Sequence, residues 1–219
     1  MKGGYNMTSI ERYQRLIAER PEEFIQSDKG LIRIVTDTDV LQQWQNEHPD
    51  KVIGVVYESK YHLMVVDLID AGGCNYYTYE RILEQNPGAA VILPITDDGK
   101  IVLLKQFRHA MREEQLALPR GFGTKKMTAE ENARKEAGEE IGADDESPVE
   151  LGTVVANSGL SGVRVKVFLF RVHDYRTVYG KEGIVECDAY TEEEFKNLIK
   201  EGRITDGFTL SAWSLYVNR

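Results

Sequence analysis

One stretch restricts what this chain can become more than any other: residues 118–143, reading LPRGFGTKKMTAEENARKEAGEEIGA. It opens as a glycine-containing loop, Pro119-Arg120-Gly121-Phe122-Gly123, and then turns into a helix. Thr128 followed three residues later by Glu131 predicts a capping box, in which each side chain satisfies a free backbone N–H at the helix start. Glu136, Glu139 and Glu140 follow at offsets of three and four, which predicts a shared helical face. Gly142 is the expected stop. Clustered anions repel, so such a face costs free energy unless something positive sits among them. Ligands that are all oxygen suit a hard divalent cation, Mg²⁺ or Mn²⁺. Glutamates alone would describe a solvated face of an acidic chain. The Leu-Pro-x-Gly lead-in, the gap, the glutamate triplet and the closing glycine agree together, and that agreement sets this stretch apart.

These residues resemble the Nudix box: a Gly, a Glu six residues on, and after a further gap Arg-Glu-x-x-Glu-Glu-x-Gly. Gly121, Glu136, Glu139, Glu140 and Gly142 fall at the right spacing. Two positions depart. Met127 stands where the first Glu is expected, and Lys135 stands where the Arg is expected. The resemblance implies that the missing pair helps orient the metal-binding carboxylates. Lysine offers one point charge where arginine offers a planar fork. The reading is an intact metal face with a weakened supporting shell.

The remaining composition is that of an ordinary soluble globular protein, with 42% apolar and 29% charged residues among 219. A net charge of −9 argues against broad binding to nucleic acid or anionic membranes. No apolar run approaches a membrane span, and the N-terminal residues lack a signal-peptide core. Cys74 and Cys187 are isolated and form no metal-ligand pair. A reducing cytoplasm is the expected location.

Along the chain, residues 8–25 have Ile10, Tyr13, Leu16 and Ile17 at helical spacing, ending near Pro21. A short strand is expected at 31–35 and a helix at 37–47. Strands are expected at 52–57, 61–69 and 75–83. Tyr76, Tyr77 and Tyr79 on the last of these are expected mostly to face a sheet core, with one or two available to stack on a purine. A boundary falls near Asn86-Pro87-Gly88, dividing 1–85 from 86–219. Beyond it, 89–95 and 101–107 form a hairpin about Asp97-Asp98-Gly99. Strands are expected at 149–156 and 163–172, and a helix at 191–201. A final helix begins at Thr205 or Asp206. The expected class is α/β (α+β): a mixed β-sheet sandwiched between helices, with a smaller N-terminal α+β region.

The run from Asn86 to Phe122 and the tail from Glu201 to Asp206 are similar to the ADP-ribose pyrophosphatase branch of the Nudix family. That resemblance implies a metal-dependent hydrolase of a nucleoside diphosphate linked to a sugar or similar group, with ADP-ribose the first candidate. It implies Glu136 and Glu140 as leading metal ligands, Glu139 beside them, and the main-chain carbonyl of Arg120 as a further ligand. Arg108 becomes a diphosphate clamp, since a guanidinium fork matches phosphate oxygens. Glu114 is a weaker candidate for contact with sugar or base. The Arg120 side chain either reaches substrate phosphate or turns to solvent. For water activation the branch uses acids in a loop after the long strand; here that loop is 179–186, with Glu182 the best match and Glu186 a poorer one. Val163 stands where the branch commonly has an acid. The branch also implies a homodimer in which the N-terminal region makes the contact. The competing reading is a catalytically impaired domain that binds a nucleotide as a sensor or partner module. Met127, Lys135, Val163 and the glycines around Glu182 favour it, and the retained glutamates oppose it.

Overall fold

The structure, a computed structural model, describes residues 7–28, 30, 32–145, 147–179 and 182–219; the expectations touching Leu31, Gly180 and Lys181 lie outside the described residues. The chain divides into two compact units. The first is Met1–Gln85 with Asn157–Gly162, and the second is Asn86–Ala156 with Val163–Arg219. No described helix is long and apolar enough to cross a membrane.

The first unit packs helices α1 (Ser9–Glu19) and α2 (Thr38–Glu47) with a four-stranded antiparallel sheet. Its strands are β1 (Arg33–Ile34), β2 (Gly54–Glu58), β3 (His62–Asp70) and β4 (Tyr76–Glu84). β4 pairs with the whole length of β3, so β1 and β2 share the other edge of β3. Helix α1 starts on a capping box at Thr8 and ends before a 3₁₀ turn, Pro21–Phe24, because proline cannot continue it. The core gathers Ile10, Tyr13, Leu16, Phe24, Leu41, Trp44 and the inward residues of β2 and β3. Among the described residues of this unit one charged residue, Asp67, is buried. Asp67 accepts hydrogen bonds from the Tyr13 hydroxyl and from Arg81 Nε at 2.5 Å. Tyr77 and Tyr79 do not face the core as the sequence suggested; both are exposed, and the Tyr79 hydroxyl donates to the Gly159 carbonyl. The segment Asn157–Gly162 joins this unit through that bond and through Ile82 N–H donating to the Leu160 carbonyl.

The second unit is a seven-stranded mixed sheet between helices. Its strands are β5 (Ala90–Thr96), β6 (Ile101–Arg108), β7 (Glu113–Ala117), β8 (Arg120–Gly121), β9 (Val149–Val154), β10 (Val165–Val172) and β11 (Ile184–Tyr190). The main order is β11-β6-β5-β10-β9, with β7 on β6 and β8 on β5. Only β5 and β10 run parallel among the described pairings. Helix α3 (Ala129–Glu140) covers one face, while α4 (Glu192–Lys200) and α5 (Gly207–Val217) cover the other. Strand β5 reads as unbroken apolar sequence because both of its faces are buried. Ala90 and Ile92 pack with Ala133, Ala137 and Ile141 beneath α3. Val91 and Leu93 pack with Phe195, Leu198 and Trp213 on the opposite side. Helix α3 brings chiefly alanines to the sheet, so it lies close and its carboxylates stay near the loop that precedes it.

Strands β7, β8 and β11 were absent from the sequence reading. The first carries two leading glutamates, the second is two residues long, and the third interleaves Glu186 and Asp188 with its buried residues. The first two lack the alternation and branched-residue content that mark a strand, whereas β11 alternates from Val185 to Ala189 and its signal was overlooked. The segment read as a loop through Glu186 therefore gives way to strand at Ile184, and Glu186 stands in β11 opposite Lys105.

Candidate active site

The glycine loop meets the helix by a local clamp. Thr128 and Glu131 form the capping box, with Thr128 N–H donating to Glu131 Oε2 at 2.8 Å and Glu131 N–H to Thr128 Oγ1 at 3.2 Å. Such a cap stabilises by about 1 kcal/mol. Asn132, wholly buried, donates to the Phe122 carbonyl at 2.9 Å and accepts from the Thr124 hydroxyl at 2.8 Å. Gly142 closes the helix at φ +63°, a backbone region glycine enters without strain. The sequence reading missed Asn132; its signal was a polar residue at a position where the helix period demands burial.

Gly121 explains the loop's other requirement. A Cβ built there would lie 2.2 Å from the carboxyl carbon of Glu136. The glutamate therefore rests directly on the loop backbone. Glu136 and Glu140 are 7% and 4% exposed, so both carboxylates are essentially inside the protein. Glu139 stands apart from them, with its side chain 44% exposed. Adjacent helical residues diverge by about 100°, so the shared face predicted for the three has Glu139 at its rim.

Charge compensation is incomplete. Arg120 N–H donates to Glu140 Oε2 at 2.9 Å. Lys135 Nζ sits 2.8 Å from Glu136 and 3.6 Å from Glu139. The lysine at the family's arginine position thus still reaches both carboxylates, while Met127 lies exposed. Burial pushes the Glu140 carboxyl up to about 8, opposed by the Arg120 N–H and reinforced by the charges of Glu136 and Glu182. Among the described residues, no three acidic, histidine or cysteine side chains converge tightly enough to form a ready metal cage. The donor chemistry nonetheless fits a hard cation. It consists of carboxylate oxygens, two of them on buried side chains, and one of those carboxyls resists ionisation without added positive charge.

Arg108 faces the same centre. Burial lowers its tendency to hold a proton, as does the neighbouring Arg120, while Asp206, Glu140 and Glu182 favour its charge. Its Nε is buried and donates to nothing among the described residues. Glu182 lies exposed just before β11 at φ +50°, and its carbonyl accepts from Gln106 Nε2 at 2.7 Å. Glu114 goes elsewhere, to a surface ion pair with Lys105 at 2.8 Å. The Arg120 side chain does not turn to solvent, one of the two courses left open by the sequence. It donates to the buried Asp206 at 2.6 Å and lies over the Phe208 ring. Asp206 was legible as a helix cap but not as a partner of the box, because nothing local joins positions separated by more than eighty residues.

Comparison with known proteins agrees with this geometry. A family model described as the NUDIX domain matches residues 85–204. The chain is 27% identical to an ADP-ribose pyrophosphatase of Bacillus subtilis (strain 168) over 136 residues, covering 61% of this chain and 74% of the relative. It is 25% identical to a methanol dehydrogenase activator of Bacillus methanolicus over 141 residues, covering 63% and 76%. A crystal structure of an ADP compounds hydrolase shares the fold with a TM-score of 0.63 at 15% identity, covering 76% of this chain and 90% of that one. A matched domain over more than half the chain, a mixed sheet between helices and a box of buried glutamates on a glycine loop lead to one conclusion: the chain belongs to the Nudix hydrolase family and resembles its ADP-ribose pyrophosphatases.

Proposed function

We propose that this Nudix hydrolase cleaves the diphosphate bond of a nucleoside diphosphate linked to a sugar or similar group, with ADP-ribose the first substrate to test. The observation that carries this reading is the pairing of two buried glutamates with an arginine whose Nε has no acceptor among the described residues. The first two need a cation, and the third needs an anion. A diphosphate escorted by Mg²⁺ or Mn²⁺ supplies both.

In this reading Glu136, Glu139, Glu140 and the Arg120 carbonyl hold the ion. When bound, it would neutralise phosphate oxygens and lower the pKa of a coordinated water. Gly121 and Lys135 hold Glu136 against the loop. The guanidinium of Arg108 orients the diphosphate and stabilises charge that develops on its oxygens. Glu182, exposed and electrostatically coupled to Glu140, is the assigned general base. Glu114 becomes a contact to sugar or base only by exchanging its Lys105 partner. The first unit is assigned the contact of a homodimer, and the cytoplasm is the assigned location.

A panel of ADP-ribose, nucleotide sugars and dinucleotides, each incubated with Mg²⁺ or Mn²⁺, tests the proposal. Release of two monophosphates from ADP-ribose is expected. Tight nucleotide binding with no phosphate product from any member would overturn it in favour of a sensor role.

A further inference from the structure

The amino end of α5 is joined to the box at two points. Asp206 Oδ2 accepts from the Thr209 N–H at 2.9 Å and from its hydroxyl at 2.8 Å, which caps the helix. The same Thr209 hydroxyl accepts from the Leu118 N–H at 3.0 Å. The other oxygen of Asp206 takes the Arg120 guanidinium at 2.6 Å. Between these contacts, the Pro119 carbonyl accepts from the Ile92 N–H at 2.9 Å. Three consecutive residues of the lead-in loop are therefore tied down. The third of them, Arg120, donates its own N–H to Glu140.

A helix cap needs one carboxylate oxygen. Here the second oxygen is spent on an arginine, and the residue is only 6% exposed. Burying that charge costs several kcal/mol unless it is paired, so capping alone gives no reason for it. We infer that Asp206 is a positioning residue for the hydrolytic site: through Arg120 and Thr209 it sets the backbone at 118–120, and through that backbone it sets the Glu140 carboxylate. A second consequence concerns charge. Pairing with Asp206 neutralises Arg120, which leaves Arg108 as the cation available to an anionic substrate.

The inference rests on the proposed function for its activity arm but not for its structural one. The substitution is Asp206→Asn, which retains an oxygen able to cap and removes the charge. Hydrogen exchange is measured peptide by peptide on the full chain. Faster exchange at the amides of Leu118 and Arg120 is expected, with α5 still protected. Faster exchange confined to the start of α5, with 118–120 unchanged, would overturn the inference even if the protein proved inactive. In an active enzyme, kcat for the diphosphate substrate should fall about 10–100-fold with KM changing far less, and Mn²⁺ affinity should weaken by a similar factor. In the Arg120→Ala background, Asp206→Asn should have little further effect on kcat. Full additivity of the two losses would also overturn it. A wild-type protein that hydrolyses none of the substrates refutes the functional reading alone, because the exchange result still decides the positioning role.

Discussion

Both units bury carboxylates, and they treat them in opposite ways. In the first unit, Asp67 is 1% exposed and its oxygens receive the Tyr13 hydroxyl and two nitrogens of Arg81. Arg81 in turn donates to the Glu23 carbonyl and lies over Phe24. Burial and the adjacent carboxylate push the Tyr13 hydroxyl far above its ordinary range, so it stays a donor. That network is closed. In the second unit, Glu140 receives one N–H, shares its surroundings with Glu136 and Glu182, and is raised to about 8. That network is open. A closed buried charge locks a scaffold, whereas an open one stores an affinity for a missing partner. On the proposed function, the difference separates a structural acid from a functional one at similar burial.

The contrast can be broken most sharply at Glu140. Glu140→Gln should reduce diphosphate hydrolysis on the order of 10²–10³-fold, as loss of a central electrostatic group does. It should also stabilise the metal-free protein near neutral pH, because a desolvated carboxyl is removed while an oxygen remains for the Arg120 N–H. Denaturant unfolding in chelator beside a steady-state assay measures both effects. A variant that loses stability in chelator would make Glu140 a structural acid like Asp67.

Asp67→Asn should do the reverse. It leaves Arg81 with the Glu23 carboxylate at 3.6 Å as its remaining counter-charge among the described residues and should cost about 3 kcal/mol of stability. Turnover per folded molecule should be preserved, as scored by activity normalised to the native fraction.

Gly121→Ala sharpens the comparison further. The new methyl group collides with the movable end of Glu136 rather than with backbone. The fold should tolerate it, while activity should fall roughly 10–100-fold through displacement of that carboxylate. A melting temperature several degrees lower with unchanged activity would contradict this.

The smallest effect is in pH dependence. In the metal-free protein the folded state holds the Glu140 proton up to about pH 8, whereas the unfolded chain releases it near the reference value of 4.5. Between those limits the folded state binds more protons. Stability is therefore greatest on the acid side and declines as pH rises through this window, with a slope of at most about 1.4 kcal/mol per pH unit. Unfolding in chelator at pH 5.5 and 7.5 should show this decline, and Glu140→Gln should flatten it.

Much of the second unit was legible in the sequence because its signals are local. The capping box at Thr128, the glycine stop at Gly142, the hairpin at Asp97 to Gly99 and the unbroken apolar run of β5 each lie within a few residues. One part that escaped depends on distance: the Arg120–Asp206 pair joins the glycine loop to the last helix. The alternation in β11 was local and was overlooked. The placement of Glu139 escaped for another reason: spacing defines a face, but only packing decides where that face ends. In the first unit, Tyr77 and Tyr79 satisfied every strand preference and do lie in β4, yet both are exposed, because strand preference does not say which side of a strand is covered.

In the proposed function, Glu140, held protonated by burial, and Glu136, paired with Lys135, seat a divalent cation together. Titration of the purified wild-type protein and of Glu140→Gln with Mn²⁺, followed by electron paramagnetic resonance of the free ion, tests it most directly. Uptake by the wild-type protein is expected, with at least about tenfold weaker uptake by the variant. Equal uptake by both, or none by the wild-type protein even with nucleotide present, would contradict it.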